Sequence, residues 1–191
     1  MKRIVIITLF FLLTAVSAMA QVSGETETVV DGKGHPAISQ YVFFDAKSWN
    51  GLVRYYGERN GLHRGEFAVG PTVKVGKTTL KLQFGGTTKR EVMTAGVFIV
   101  PMGENAVVWI VDAKFSTTND AHTLYQKLWV PLNRKGRFLF RIEDLQVGSS
   151  QAFLRIGAEL RWGLPHKTTL FVAPFGDPKN KAVGFNAGLR Y

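Results

Sequence analysis

From Lys181 to Tyr191 the chain alternates without a lapse. Val183, Phe185, Ala187, Leu189 and Tyr191 are apolar or aromatic, and Gly184, Asn186, Gly188 and Arg190 between them are small, polar or charged. A two-residue period belongs to a β-strand with one apolar and one polar face. The same period recurs upstream. In Gln151–Trp162 the even positions Ala152, Leu154, Ile156, Ala158, Leu160 and Trp162 oppose Arg155, Gly157, Glu159 and Arg161. Phe138, Phe140 and Ile142 oppose Arg137, Arg141 and Glu143, while Leu80, Leu82 and Phe84 oppose Lys81 and Gln83. Val107, Trp109, Val111 and Ala113 alternate with Asp112 and Lys114, and Phe67, Val69, Pro71 and Val73 oppose Glu66 and Lys74.

Ten candidate strands lie between Gly51 and Tyr191, separated by breakers such as Gly76-Lys77, Gly103-Glu104-Asn105, Gly148-Ser149-Ser150 and Gly176-Asp177-Pro178. No helical period follows residue 20. The pattern predicts an all-β, antiparallel, up-and-down β-barrel over 51–191, of about ten strands, with eight or twelve as alternatives. Residues 21–50 read as an N-terminal arm. Gln21 to His35 is polar and rich in Gly, Ser, Thr and acids, the composition of a segment without a fold of its own. Ser39–Ala46 is strand-like without clean alternation, either a short extra strand or a segment lying under the barrel.

Residues 1–20 have the layout of a secretory signal peptide. Lys2 and Arg3 precede the apolar run Ile4–Leu13, and Ser17-Ala18-Met19-Ala20 supplies a small-x-small cleavage site. The run is shorter than the roughly twenty apolar residues of a membrane-spanning helix. The chain is expected to leave the cytoplasm with Gln21 as its new N-terminus. An exported chain that closes on an alternating, aromatic-ended strand resembles the bacterial outer-membrane β-barrel proteins, without pointing to a particular family among them. The resemblance implies a Gram-negative envelope location in the outer membrane, with lipid around a transmembrane barrel. It also implies that Phe185, Leu189 and Tyr191 form the signal read by the barrel-assembly machinery, and that the last strand closes against the first.

Alternation alone fits two arrangements. In a secreted or periplasmic soluble β-barrel the apolar set points inward and encloses a small apolar ligand; in a membrane barrel it meets lipid and the charged set lines the lumen. The apolar set mixes bulky residues with many Ala, Gly and Val, which lipid accepts without the fitting that a packed core demands. With the C-terminus placed in the periplasm, Trp109, Trp129, Trp162 and Tyr191 fall near the periplasmic strand ends. Phe67, Phe84 and Phe115 fall toward the opposite ends, giving two aromatic girdles. The connections assigned to the periplasm are also the shorter ones. The membrane arrangement is therefore the main expectation. Trp129 sits awkwardly within it, because it shares a face with Tyr125 and needs a bulge near Pro131 to reach lipid.

The expected lumen charges are Glu66, Lys81, Asp112, Arg137, Arg141, Arg155, Glu159, Arg161 and Arg190. Cations outnumber acids in this set, as they do in the whole chain, whose formal net charge is +10. The basic residues alternate along strands and form no run or helical face, so nucleic acid is not an expected partner. The chain has no cysteine, and His35, His63, His122 and His166 are scattered without metal-ligand or nucleophile–base spacing. No enzyme, cofactor or metal site is expected. Two roles remain for a membrane barrel. One is a narrow, porin-like, anion-favouring pore with a small anionic solute as partner. The other is a structural or interaction barrel whose charged lumen is filled by its own side chains.

Overall fold

The structure, a computed structural model, describes residues 21–30, 36–58, 63–118 and 121–191. The expected signal peptide, residues 1–20, lies outside the described residues. Twelve antiparallel strands follow one another: β1 (Gln21–Val30), β2 (Pro36–Asp45), β3 (Trp49–Glu58), β4 (His63–Val75), β5 (Thr78–Thr87) and β6 (Glu91–Met102). They continue as β7 (Asn105–Ser116), β8 (His122–Pro131), β9 (Phe138–Val147), β10 (Ser150–Gly163), β11 (Thr169–Asp177) and β12 (Ala182–Arg190). Each strand pairs with its sequence neighbours, and β1 pairs with β12 to close the barrel.

The ten strands expected after Gly51 are all present. The N-terminal arm is a correction: it supplies two more strands, so the barrel has twelve strands where about ten were expected. The physical reason is the weak contrast of these two segments. On β1 the outward set includes Gly24, Thr26 and Thr28, and only its inward set, Glu25 and Glu27, is distinctive. On β2 both sets are apolar: Ile38 and Val42 face out, while Tyr41 and Phe43 pack against the barrel's buried residues. A hydrophobic period vanishes when both faces carry the same kind of side chain.

Three two-residue connections explain the tight hairpins. Gly76-Lys77, Gly103-Glu104 and Gly148-Ser149 each have a glycine at positive φ (59°, 63° and 59°) in the first position. That is the type II′ arrangement, whose twist matches the flanking strands. An even strand count puts both termini at one rim, called here the terminal rim; the opposite one is the far rim. Connection length does not separate them as expected, because 132–137 and 164–168 lie at the terminal rim and 148–149 at the far one.

The two faces of the sheet have opposite chemistry. Val183 is 72% exposed and Phe67 59%, whereas Glu159 is fully buried. Phe138, Ile156, Leu160 and Phe185 are exposed as well, and Arg141, Glu143, Lys127 and Glu66 are buried. A soluble barrel would reverse this arrangement, since apolar exteriors of such extent are rare on soluble monomers.

Closure needs close backbone approach. Register runs from Glu25↔Arg190 to Val30↔Phe185, and Gly24 and Tyr191 exchange backbone hydrogen bonds of 2.6 and 3.0 Å. A Cβ on Gly188 would lie 2.0 Å from the Thr26 carbonyl oxygen and 2.8 Å from the Phe171 ring. Gly176, by contrast, has nothing within 4 Å of such an atom. Gly188→Val is therefore expected to abolish the compact, heat-modifiable band on a gel after refolding, while Gly176→Val leaves it in place.

Candidate functional site

Inward-facing charges sort themselves into two ion-pair clusters. The first joins β3, β4, β6 and β7. Arg54 donates to Glu66 and, at 2.6 Å, to Asp112 Oδ2; Lys114 Nζ reaches Asp112 Oδ2 at 2.9 Å and Glu66 at 3.4 Å. Arg64 donates to Glu91 at 3.1 Å. Because β3 and β7 are four strands apart, the Arg54–Asp112 contact bridges the interior instead of running along one hairpin.

A second cluster unites the remaining side of the barrel. Arg141 donates to Glu27 on β1, to Glu143 Oε1 (3.1 Å from Nε) and to Glu159 Oε2 at 3.0 Å. Lys127 lies 3.2 Å from both Glu27 and Glu143. Arg190 binds Glu25 at 2.6 Å and Glu159 at 2.6 Å, and Arg161 Nε donates to Glu159 Oε1 at 2.7 Å. Trp129 completes the layer: its Nε1 donates to Glu159 at 3.0 Å, and Lys127 Nζ stands 4.6 Å from its ring. Glu27, Lys127, Arg141, Glu143 and Glu159 are all buried. Charges this dry stand only when their partners are complete, and here each acid has at least two cations.

Beside these clusters sits an apolar patch within the lumen. Leu52, Ala68, Met93 and Ala95 are buried together, with Tyr41 and Phe43 packed on them. Toward the far rim the interior widens into a vestibule of about 370 Å³. Tyr41, Tyr56, Tyr125 and Phe153 line it with Arg54, Arg64 and Arg155. Phe153 faces it by ordinary alternation with Arg155 and Glu159, and the β9–β10 register shifts just before it, between Gln151 and Phe153. Asp177 and Asn180 hold the spot: Asn180 Nδ2 donates to the Ala152 carbonyl at 3.0 Å and to Asp177 at 2.7 Å.

Of the expected lumen charges, Glu66, Asp112, Arg141 and Glu159 are buried inside and Arg155, Arg161 and Arg190 are half-buried among them. Lys81 faces inward near the terminal rim and pairs with Asp45 at 2.5 Å. Arg137 is exposed, one position before β9, and its carbonyl accepts from the Arg161 amide at 2.8 Å, opposite a residue of the lumen face. Among the aromatics, Trp109, Trp162 and Tyr191 face outward, as do Phe185 and Leu189. Trp129 is a correction. It is 8% exposed and inside, because no bulge intervenes between Lys127 and Pro131 and all odd positions of β8 stay on the lumen face.

Sequence reasoning left Glu25, Glu27 and Arg54 out of the lumen. Glu25 and Glu27 belonged to a segment with no visible apolar face, and Arg54 sits between aromatic and aliphatic residues on β3. A usable signal existed, the Glu-x-Glu spacing that puts both acids on one face of a strand. These two acids shrink the expected surplus of cations in the lumen.

No protein-family model matches the chain, and no curated protein matches it significantly. Solved structures share its fold, among them two of the KdgM porin. The KdgM porin in complex with disordered oligogalacturonate aligns with a TM-score of 0.64 at 8% identity, over 88% of this chain and 98% of its own. The KdgM porin alone gives 0.63 at 7% identity, with the same coverage. At such identities the likeness concerns the fold.

Glu159 is the acid on which the second cluster converges. Glu159→Gln leaves Arg141, Arg161 and Arg190 short of a counter-charge in a dry layer. The expected loss is about 3–5 kcal/mol, read as a lower urea midpoint for unfolding from detergent micelles or lipid vesicles.

Proposed function

We propose that this protein is an integral outer-membrane barrel that acts as a narrow pore, entered from the far rim and constricted by its own ion pairs. The observation that carries the reading is the vestibule above a layer of buried, mutually paired charges. No inward-folded loop is needed for a constriction, because Arg141, Trp129, Lys127 and their carboxylates fill the lumen. Twelve strands lie between small barrels filled by side chains and large ones with open channels. The likeness to KdgM porins supports a pore, and the bound oligogalacturonate of one such porin is consistent with an anionic solute here.

The surrounding assignments follow from the same reading. Phe67, Val69, Phe84, Val183 and Phe185 meet the lipid chains. Trp109, Trp162 and Tyr191 sit at the interface on the terminal rim, which faces the periplasm, with their polar edges toward water. Phe185, Leu189 and Tyr191 form the ridge recognised by the assembly machinery. The protein is not an enzyme, and its selectivity arises from the vestibule cations.

A second reading is favoured by the completeness of the pairing: a structural barrel whose lumen never conducts. Planar bilayers separate the two. The wild type is expected to show a small conductance with a reversal potential favouring anions. Trp129→Ala, which removes the largest ring from the constricting layer, should raise that conductance several-fold. If neither protein conducts while both run as folded, heat-modifiable species, the structural reading stands.

A further inference from the structure

The vestibule has features that a simple water-filled entrance does not need. Among the described residues, five buried side-chain polar atoms lack a hydrogen-bond partner: Arg64 Nε, Asp112 Oδ1, Thr123 Oγ1, Arg155 Nε and Asn186 Oδ1. Three of them, on Arg64, Thr123 and Arg155, belong to side chains that line this one cavity. Buried polar groups ordinarily find partners, so these exceptions draw attention to the side chains that carry them.

Charge pairing points to one of the three. Arg54 and Lys114 are each shared between Glu66 and Asp112, and Arg64 is held by Glu91. The vestibule's other acids, Glu27 and Glu143, are both taken by Arg141 and Lys127. Arg155 is left with Glu143 at 3.6 Å, too long for a hydrogen bond. Its guanidinium is nevertheless held in place, since its central carbon lies 4.0 Å from the Phe153 ring centre and 4.8 Å from that of Phe175. Cation–π contacts fix such a group without using its hydrogen-bond donors.

Much of the remaining wall is apolar or aromatic, Tyr41, Tyr56, Tyr125, Leu145 and Val147, with Ser39 a polar exception. A volume of about 370 Å³ stands near the lower end of small-molecule sites, roughly 300–1,000 Å³. The ion-pair layer beneath forms its floor.

We propose that the vestibule binds a small amphipathic carboxylate of single-ring size, its carboxylate held by Arg155 and its ring set among the vestibule aromatics. This deepens the pore reading, on which it rests, by naming the solute class. The planar fork of an arginine matches a carboxylate bidentately, and the apolar wall suits a ring better than a chain of hydroxyls.

The test uses the full-length barrel refolded in detergent, titrated calorimetrically with phenylacetate, with 2-phenylethanol (the same ring without the carboxylate) and with digalacturonate. Phenylacetate is expected to bind at least tenfold more tightly than either comparator, a margin of about 1.4 kcal/mol. Arg155→Gln should weaken it by about 10–100-fold, the range of a hydrogen bond to a charged group, and Arg155→Lys should restore only part. Phe153→Leu, which keeps the charge and an apolar side chain, should also weaken it several-fold; this variant decides the matter if Arg155→Gln does not fold. Equal affinity for digalacturonate, no binding of phenylacetate by folded wild type, or unchanged affinity in Phe153→Leu overturns the proposal. Conductance is measured on the same preparation, so a barrel that conducts without binding sinks the ligand class and spares the pore. One that binds without conducting does the reverse.

Discussion

Charge enclosed within a barrel must be neutralised there, and in this protein neutralisation and closure are the same event. Glu25 and Glu27 enter on the first strand; their partners Lys127, Arg141 and Arg190 arrive on β8, β9 and β12. Until β1 docks, those three cations have only Glu143 and Glu159 among them as acceptors in this cluster. Docking satisfies the seam's backbone groups and the lumen charges together. The net energetic gain of buried ion pairs is small, since desolvation consumes most of the attraction. Their effect on register is large. A one-residue slip of β1 would turn both glutamates outward and bring Thr26 and Thr28 inside, leaving Lys127, Arg141 and Arg190 to share Glu143 and Glu159.

That coupling explains which parts of the fold were legible in the sequence. Strands with strong facial contrast, such as β4, β7 and β10, are located closely, because apolar surface on one side and charge on the other enforce a two-residue period. β1 has the same geometry with glycine and threonine on its outer face, and β2 has apolar residues on both. Neither leaves a hydrophobic trace, although both are held as firmly as their neighbours by ladder hydrogen bonds on two sides. Charged residues in mid-strand were placed correctly for the same reason. Arg137 lies one position beyond the strand, at the rim, where exposure replaces burial. Trp129 shows the converse limit. Tryptophan suits a membrane interface, yet on this strand the period outranks the residue type, and a hydrogen bond to Glu159 satisfies its indole.

The outward face adds a second use of aromatic rings. The Tyr191 ring lies over Gly24, within 2.4 Å of where a side chain would begin, and Phe44 lies over Gly51 in the same way. Both glycines present bare backbone beside a neighbouring strand. An aromatic ring laid across them restores the contacts that a missing side chain forgoes, and at Gly24 it does so on the seam itself. The Tyr191 ring therefore takes part in the closure of the barrel.

The interior is unequal around its circumference, which limits where a path can run. On the β3–β6 side, Leu52, Ala68, Met93 and Ala95 form a dry cluster. Wetting it would expose apolar area at about 25 cal/mol per Å² with nothing gained in return. On the side made by β8–β12 and β1 the layer is ionic. Water entering there removes Coulomb attraction but also lifts the desolvation penalty that each buried charge carries, and the two terms nearly offset. A lumen packed with hydrocarbon side chains resists hydration at every point. One packed with ion pairs can exchange its internal partners for water at modest cost. Hydration is accordingly cheapest along the ionic side, past Arg141, Lys127 and Trp129, and dearest along the apolar side.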